Sequence, residues 1–174
     1  FCAVYVALQM LQQKQVDNII YVRSVVESAT RKLGSLPGEV DEKFRPWIIP
    51  FLEKCDELIS RQAADSLIEN GYVNCIPVNF LRGSTFKDCV VIVDEAQNLE
   101  ISEIITILTR FGVNCKMFII GDTQQSDINR SCFKNIFDTF DDEVSKKNGI
   151  HTFKFTEDDI VRSKILKFIV NKVK

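Results

Sequence analysis

Residues 90–98 read VVIVDEAQN. The run Cys89–Val93 is apolar on both faces, which predicts a strand buried on both sides, as in a parallel sheet. Asp94 and Glu95 follow at once, so that strand delivers two adjacent carboxylates at its carboxyl end. In open parallel sheets ligands bind outside those ends. Nucleoside-triphosphate hydrolysis needs such a pair. Asp94 would hold Mg²⁺, directly or through water, and Glu95 would polarise the attacking water. The competing reading is that Asp-Glu starts a helix, where acidic side chains favour the macrodipole.

One strand later the sequence reads GDTQQSD over residues 121–127. A glycine such as Gly121 lets backbone approach a ligand closely. Asp122 is a candidate for orienting a magnesium shell, and a nearby Gln for sensing a terminal phosphate. The alternative is an Asx-type turn ahead of a helix. On successive strands with a helix between them, the two motifs together favour a nucleotide hydrolase.

The rest of the chain fits an alternation of strands and helices. The segment FCAVYVALQMLQQKQ at residues 1–15 reads as a buried helix without an N-cap or an acidic first turn. Asn18–Val22 predicts a strand ending at Arg23. Leu33–Gly38 predicts a turn-rich loop. Helical patterning extends from about Asp41 to Asn70, with Gly71 as its stop. Tyr72–Val78, Lys116–Ile120 and His151–Phe155 predict further strands. Helices are expected over about Ser102–Arg110, Ser131–Phe140 and Glu157–Lys174. Phe133, Phe137 and Phe140 fall at helical spacing and predict a core face. Trp47 is a packing anchor or a base-stacking platform. The expected fold is α/β, a mostly parallel sheet with helices on both faces, in one domain over residues 1–174.

Composition bounds the function. The chain has 174 residues, 45% hydrophobic and 26% charged, with a formal net charge of −2. That excludes wholesale disorder and a strongly basic nucleic-acid binder, while leaving room for a local basic groove. The longest apolar run, Phe1–Leu8, is far below the ~20 residues of a membrane-spanning helix. Six cysteines and one histidine show no clustered zinc spacing. Most of the cysteines sit in apolar segments, which predicts reduced core thiols and a cytoplasmic location.

A phosphate loop of the form Gly-x-x-x-x-Gly-Lys-[Ser/Thr] is not found in these 174 residues. Such a loop ends at the start of a helix, and the uncapped helix at Phe1 is where one is expected to end. The expectation is therefore a strand and phosphate loop just upstream of Phe1.

The ordered set LGSLPGEVDEKFRPW, FLRGST, VVIVDEAQN, GDTQQSD and DDIVRS resembles the PhoH-like ATPases, grouped with the superfamily-one helicase branch of P-loop proteins. The resemblance covers nearly the whole chain. It implies a RecA-like P-loop NTPase fold with a magnesium-and-water carboxylate pair at Asp94 and Glu95. Gly121, Asp122 and Gln125 match the family's GDxxQ motif, with Gln125 near the terminal phosphate. Arg162 falls on the arginine of a late Asp-x-Val-Arg element that could stabilise charge on the phosphates. Arg82 and Thr85 match an Arg-Gly-x-Thr element. They either touch nucleotide or nucleic acid, or form a turn held by Gly83. The chain departs from the family at Ser24, where proline is usual after Arg23.

The resemblance implies an Mg-dependent ATPase with ATP and Mg²⁺ as cofactors. It also implies coupling to RNA or single-stranded DNA and assembly into a homo-oligomeric ring, without a membrane partner. The alternative is a non-catalytic nucleic-acid-binding or scaffolding domain derived from such an ATPase. A receiver-like regulatory domain fits less well, because it needs an early acidic pair that this chain lacks.

Overall fold

The computed structural model describes residues 1–23, 40–81, 83, 85–123, 125, 132–156, 159, 161, 165, 168, 169 and 172, with the side chains of 40–47 and 79 outside that set. The described chain forms two compact units, Phe1–Lys134 and Asn135–Lys174.

The first unit is built on four parallel strands: β1 (Asn18–Arg23), β2 (Val73–Pro77), β3 (Cys89–Asp94) and β4 (Cys115–Ile119). They lie in the order β2-β1-β3-β4. Helix α1 (Cys2–Gln12) precedes β1, α2 (Val40–Leu58) and α3 (Arg61–Glu69) join β1 to β2, and α4 (Ile101–Leu108) joins β3 to β4. The expected α/β fold with a parallel sheet is therefore the one observed.

The connection β1→β2 crosses the sheet in one direction and β3→β4 in the other. Parallel crossovers are right-handed almost without exception, so the two connections fall on opposite faces. On the first face α1, α2 and α3 cover Ile19, Tyr21, Val73, Val90 and Ile92 in one cluster with Val4, Phe51, Leu52 and Cys55. Period two sends Val22, Val91 and Val93 to the other face, where they too are buried. Ile104 and Ile107 of α4 are buried outside the first cluster. Each fully buried large apolar side chain contributes about 1.5–3 kcal/mol. The apolar run of β3 reflects this burial on both faces.

Reversal of crossover direction makes a topological switch point between β1 and β3, where the carboxyl ends of the strands part to leave a crevice. Arg23 and Asp94 are register partners there, the last residues of their strands.

Several expectations need correction. The helix expected from Asp41 to Asn70 is two helices. Ser60 breaks it by accepting a 3.2 Å hydrogen bond from the Ala63 amide at the N-terminus of α3, an arrangement that favours a new start over continuation. A 3₁₀ turn at Ala96–Asn98 intervenes between Glu95 and α4. All six cysteines are free, but only Cys55, Cys89 and Cys115 are core thiols; Cys2 is exposed and Cys75 and Cys132 are half-buried.

The second unit holds α6 (Glu143–Lys147), capped by Asp142, and most of α5 (Phe133–Phe140), which begins in the first unit. Residues 151–156 carry no strand. Strands persist by pairing their backbone groups with a neighbour, and an alternating pattern does not by itself supply one. Phe153 and Phe155 instead meet edge to face at 4.9 Å while remaining 73% and 65% exposed. Phe133, Phe137 and Phe140 are half-buried rather than core, and no residue of α5 is fully buried. The expected loop at Leu33–Gly38 lies outside the described residues, and the expected helix Glu157–Lys174 falls largely outside them.

Candidate functional site

The site forms where β3 leaves the core. Buried Val91, Ile92 and Val93 anchor the strand, and Asp94 emerges half-buried at its end. Tyr21 of β1 is the register partner of Ile92. Asp94 lies two residues further along the same face, within reach of the phenol. Tyr21 donates a 2.5 Å hydrogen bond to Asp94 Oδ2, and its ring packs on Phe51 with centroids 5.2 Å apart. Burial first, and then the Asp94 charge, push the phenol well above its ordinary pKa. Tyr21 is thus a fixed neutral donor. Asp94 Oδ1 accepts from the Glu95 amide at 3.1 Å.

Glu95 has φ 55 and ψ 39, the left-handed region that non-glycine residues rarely occupy. Such strain costs on the order of 1–3 kcal/mol and persists only where surroundings over-determine it. Here the Asn98 amide donates to the Glu95 carbonyl at 2.9 Å and the Ala96 amide donates to Ile120 at 2.8 Å, locking the turn to the end of β4. The Glu95 carboxylate accepts from Gln97 Nε2 at 2.6 Å. Arg23 Nη2 stands 3.7 Å from its other oxygen. Both partners of that ion pair are partly exposed, so it contributes little, about 0–1 kcal/mol.

Gln97 and Asn98 are the polar side chains buried among the described residues. Gln97 Oε1 accepts from the Asp122 amide at 3.0 Å, and Nε2 makes a longer contact, 3.4 Å, with the Gln125 carbonyl. The Gln125 side chain donates to Asp122 Oδ2 at 2.9 Å. Gly121 completes the contact. A Cβ there would stand 2.9 Å from Gln97 Oε1, 2.9 Å from Phe133 and 3.0 Å from the Gln97 amide. The glycine is needed because the buried glutamine lies against it.

These residues line a cleft of about 270 Å³ that brings together Asp94, Glu95, Gly121, Asp122 and Gln125. The volume is below the roughly 300–1,000 Å³ typical of pockets that enclose drug-sized ligands. The lining carries three carboxylates and no Lys or Arg among the described residues, so it favours a cation. A single Mg²⁺ takes one or two carboxylates plus phosphate and water oxygens. Asp94 fits that demand. Each of its oxygens has one assigned donor, leaving acceptor capacity on both. Among the described residues no cluster of three or more acidic, Cys or His side chains forms a closed metal cage.

Five of the expected site residues are thus assembled. Thr85 is not among them. It lies exposed beside Gly112, next to the Phe86–Phe111 bridge that precedes β3 and β4, at the opposite end of the sheet from Asp94. Arg82 and Arg162 lie outside the described residues. Arg23, expected at the carboxyl end of its strand, pairs with Glu95, and Tyr21 and Gln97 are the additions. The signal for Gln97 was a pair of amides, Gln97-Asn98, set between the apolar Ala96 and Leu99. Tyr21 had no such signal, because only strand order brings it to Asp94.

A family model described as PhoH-like protein matches residues 1–174. The chain is 37% identical over 128 residues to a PhoH-like protein of Synechocystis sp., covering 74% of this chain and 39% of that one. It is 32% identical over 174 residues to a PhoH-like protein of Mycobacterium tuberculosis, covering 98% of this chain and 48% of that one. It is 35% identical over 162 residues to Protein PhoH of Escherichia coli, covering 90% of this chain and 44% of that one. The chain therefore spans less than half the length of each of these relatives. Among the described residues, no helix is long and apolar enough to cross a membrane.

Proposed function

The chain belongs to the PhoH-like family of P-loop proteins, and on that premise we propose that it binds Mg-ATP and hydrolyses it by in-line attack of water. The observation that carries this reading is the succession Asp94-Glu95 at the switch point, facing Asp122 and Gln125 across one cleft. Mg²⁺, when bound, neutralises phosphate charge. Asp94 holds it, with Asp122 orienting its water shell. Glu95 polarises the attacking water, and Gln125 contacts the terminal phosphate.

The acidic lining supports a division of labour. These residues supply the ion-holding half of a nucleotide site, and the anion-holding half comes from elsewhere in the protein. Arg162 is assigned to charge on the phosphates, and Arg82 to nucleotide or nucleic acid. Residues 1–174 act as one ATPase domain. Hydrolysis is coupled to remodelling of RNA or single-stranded DNA by a homo-oligomeric ring in the cytoplasm. The resemblance is what supports the nucleic-acid and ring assignments, and the cysteine pattern of the sequence is what supports the cytoplasmic one.

The test is Glu95→Gln in the full-length protein. Turnover is expected to fall by about 10²–10⁴, the usual contribution of a positioned general base, while Mg-ATP binding persists. Unchanged turnover overturns the water-activating role.

A further inference from the structure

Cys89 opens β3 and Cys115 opens β4, and the two are register partners in the parallel pairing of these strands. Partners in register project to the same face, which for Cys89 is the face of Val91 and Val93. Cys89 is 0% exposed and Cys115 is 4% exposed. Neighbouring strands run about 4.8 Å apart, inside the roughly 4.4–6.8 Å between Cα atoms that a disulfide spans. The two thiols already lie close enough to share a hydrogen bond. Both stand at the amino ends of their strands, at the opposite end of the sheet from Asp94, and the proposed hydrolysis uses neither.

A buried cysteine is ordinarily a small apolar filler. Two thiols side by side differ, because oxidation of one sets an electrophilic sulfur against a nucleophilic one. We propose that Cys89 and Cys115 form an oxidisable dithiol, a modification site for hydrogen peroxide that closes reversibly to a disulfide between β3 and β4. It is independent of the ATPase reading.

Cys115 is the attacking sulfur. It lies on β4, the last strand in the described order, directly after the exposed Asn114. The hydrogen bond from Cys89 favours its thiolate, and the Gly112 backbone and the Lys116 charge act in the same direction. The same bond holds the proton on Cys89. The Cys115 thiolate attacks one peroxide oxygen, the O–O bond breaks, and the departing hydroxide takes a proton to leave as water. Cys115 then carries a sulfenic acid without charge, so the Cys89 proton is held less tightly. The Cys89 sulfur gives up that proton and attacks the Cys115 sulfur. The S–O bond breaks, the S–S bond forms, and a second water leaves. Two thiols lose two electrons and two protons, and one peroxide gains them. Capture by Cys89 also stops Cys115 from climbing to sulfinic or sulfonic acid, which are not reversed by thiols. Side chains of parallel partners leave side by side rather than converging, so the bridge must draw the strand ends together. Strained bridges are the readily reduced ones, which makes the closure reversible.

The experiment treats folded full-length protein with hydrogen peroxide at a dose that oxidises the exposed Cys2. The protein is then unfolded, alkylated and digested with trypsin, which separates the two cysteines at Arg110. Mass spectrometry is expected to show the alkylated Cys89 and Cys115 peptides lost in equal measure. A linked peptide two hydrogens lighter than their sum appears, and dithiothreitol restores both. In protein unfolded in urea before the peroxide, pairing is expected to scatter over the other cysteines. Full recovery of both alkylated peptides from folded protein, or an equal yield of the linked peptide from unfolded protein, overturns the site.

Two variants test the order of attack. In Cys89→Ala the same dose is expected to carry Cys115 to sulfinic or sulfonic acid. In Cys115→Ala it is expected to leave Cys89 reduced. The reverse pattern overturns the assignment of Cys115 as the attacking sulfur. Cys89→Ser and Cys115→Ser replace either alanine variant that thermal melts show unfolded, and the wild-type experiment depends on none of them.

Discussion

The phenol of Tyr21 donates to Oδ2 of Asp94 at 2.5 Å, tying the middle of β1 to the last residue of β3. Tyr21→Phe keeps the ring on Phe51 and removes that donor. The variant is expected to fold, with stability lowered by about 1–2 kcal/mol, near the value of a hydrogen bond to a charged group. The concentration of Mg²⁺ giving half-maximal binding of a fluorescent ATP analogue is expected to rise several-fold. A magnesium titration of both proteins checks it, and superimposable curves would show that Tyr21 does not set Asp94.

Gly121→Ala forces a methyl group to within 3.0 Å of the Gln97 amide as well as against two side chains. Overpacking of this kind costs about 1–3 kcal/mol. Urea denaturation is expected to show the midpoint falling without a change of slope. An unchanged midpoint would mean that the 121–125 loop yields freely.

Ser60→Ala removes the oxygen that accepts from Ala63 at 3.2 Å. Loss of about 1 kcal/mol is expected, which lowers Tm by about 2–4 °C in a protein of this size. Ser60→Asp keeps an acceptor at the cap and is expected to melt within about 1 °C of wild type. Calorimetry on the three proteins decides it.

Burial pushes the Cys55 thiol up to about 12 and the Cys75 thiol up to about 11, from an ordinary 9.0. The thiolate is the nucleophile, so both are expected to resist iodoacetamide at neutral pH while exposed Cys2 reacts, as mass spectrometry of peptides will read. The sign for stability follows. A folded-state pKa above the unfolded value favours the neutral thiol, so this contribution is complete below pH 9 and is lost as pH rises from 9 toward 11 and 12. Equilibrium unfolding across that range is expected to show stability falling with pH.

The strands were legible where one residue type filled them. Cys89–Val93 has no polar residue, and its burial on both faces follows from that alone. Asp94, Glu95 and Asp122 could be placed at strand ends because ligand sites in parallel sheets lie there. Strand order was not legible. Nothing within Asn18–Arg23 says that it lies beside β3 rather than at an edge, so Arg23 could be placed at the carboxyl edge of the sheet but Tyr21 was not seen as a neighbour of the two acids. The break at Ser60 was hidden by helical patterning on both sides of it. His151–Phe155 alternates as a strand should, but alternation cannot supply a pairing partner. Gln97 was overlooked because an amide after two acids looks solvent-facing until the tertiary fold closes over it.

The hydrogen bond between Tyr21 and Asp94 joins residues 73 positions apart. A helix such as α3 needs only its own neighbours in sequence, whereas this inner pairing must close a loop containing α2, α3 and β2. Closure entropy grows with loop length, and pairings of this range are the slow ones. The acidic cleft therefore cannot exist in a half-made chain. During synthesis β1 must wait, with one edge unpaired, until β3 has left the ribosome, and a nascent chain can hold neither metal nor water at Asp94 and Glu95 in the observed arrangement before then. The reactive pair therefore takes its place only after α2, α3 and β2 have been made.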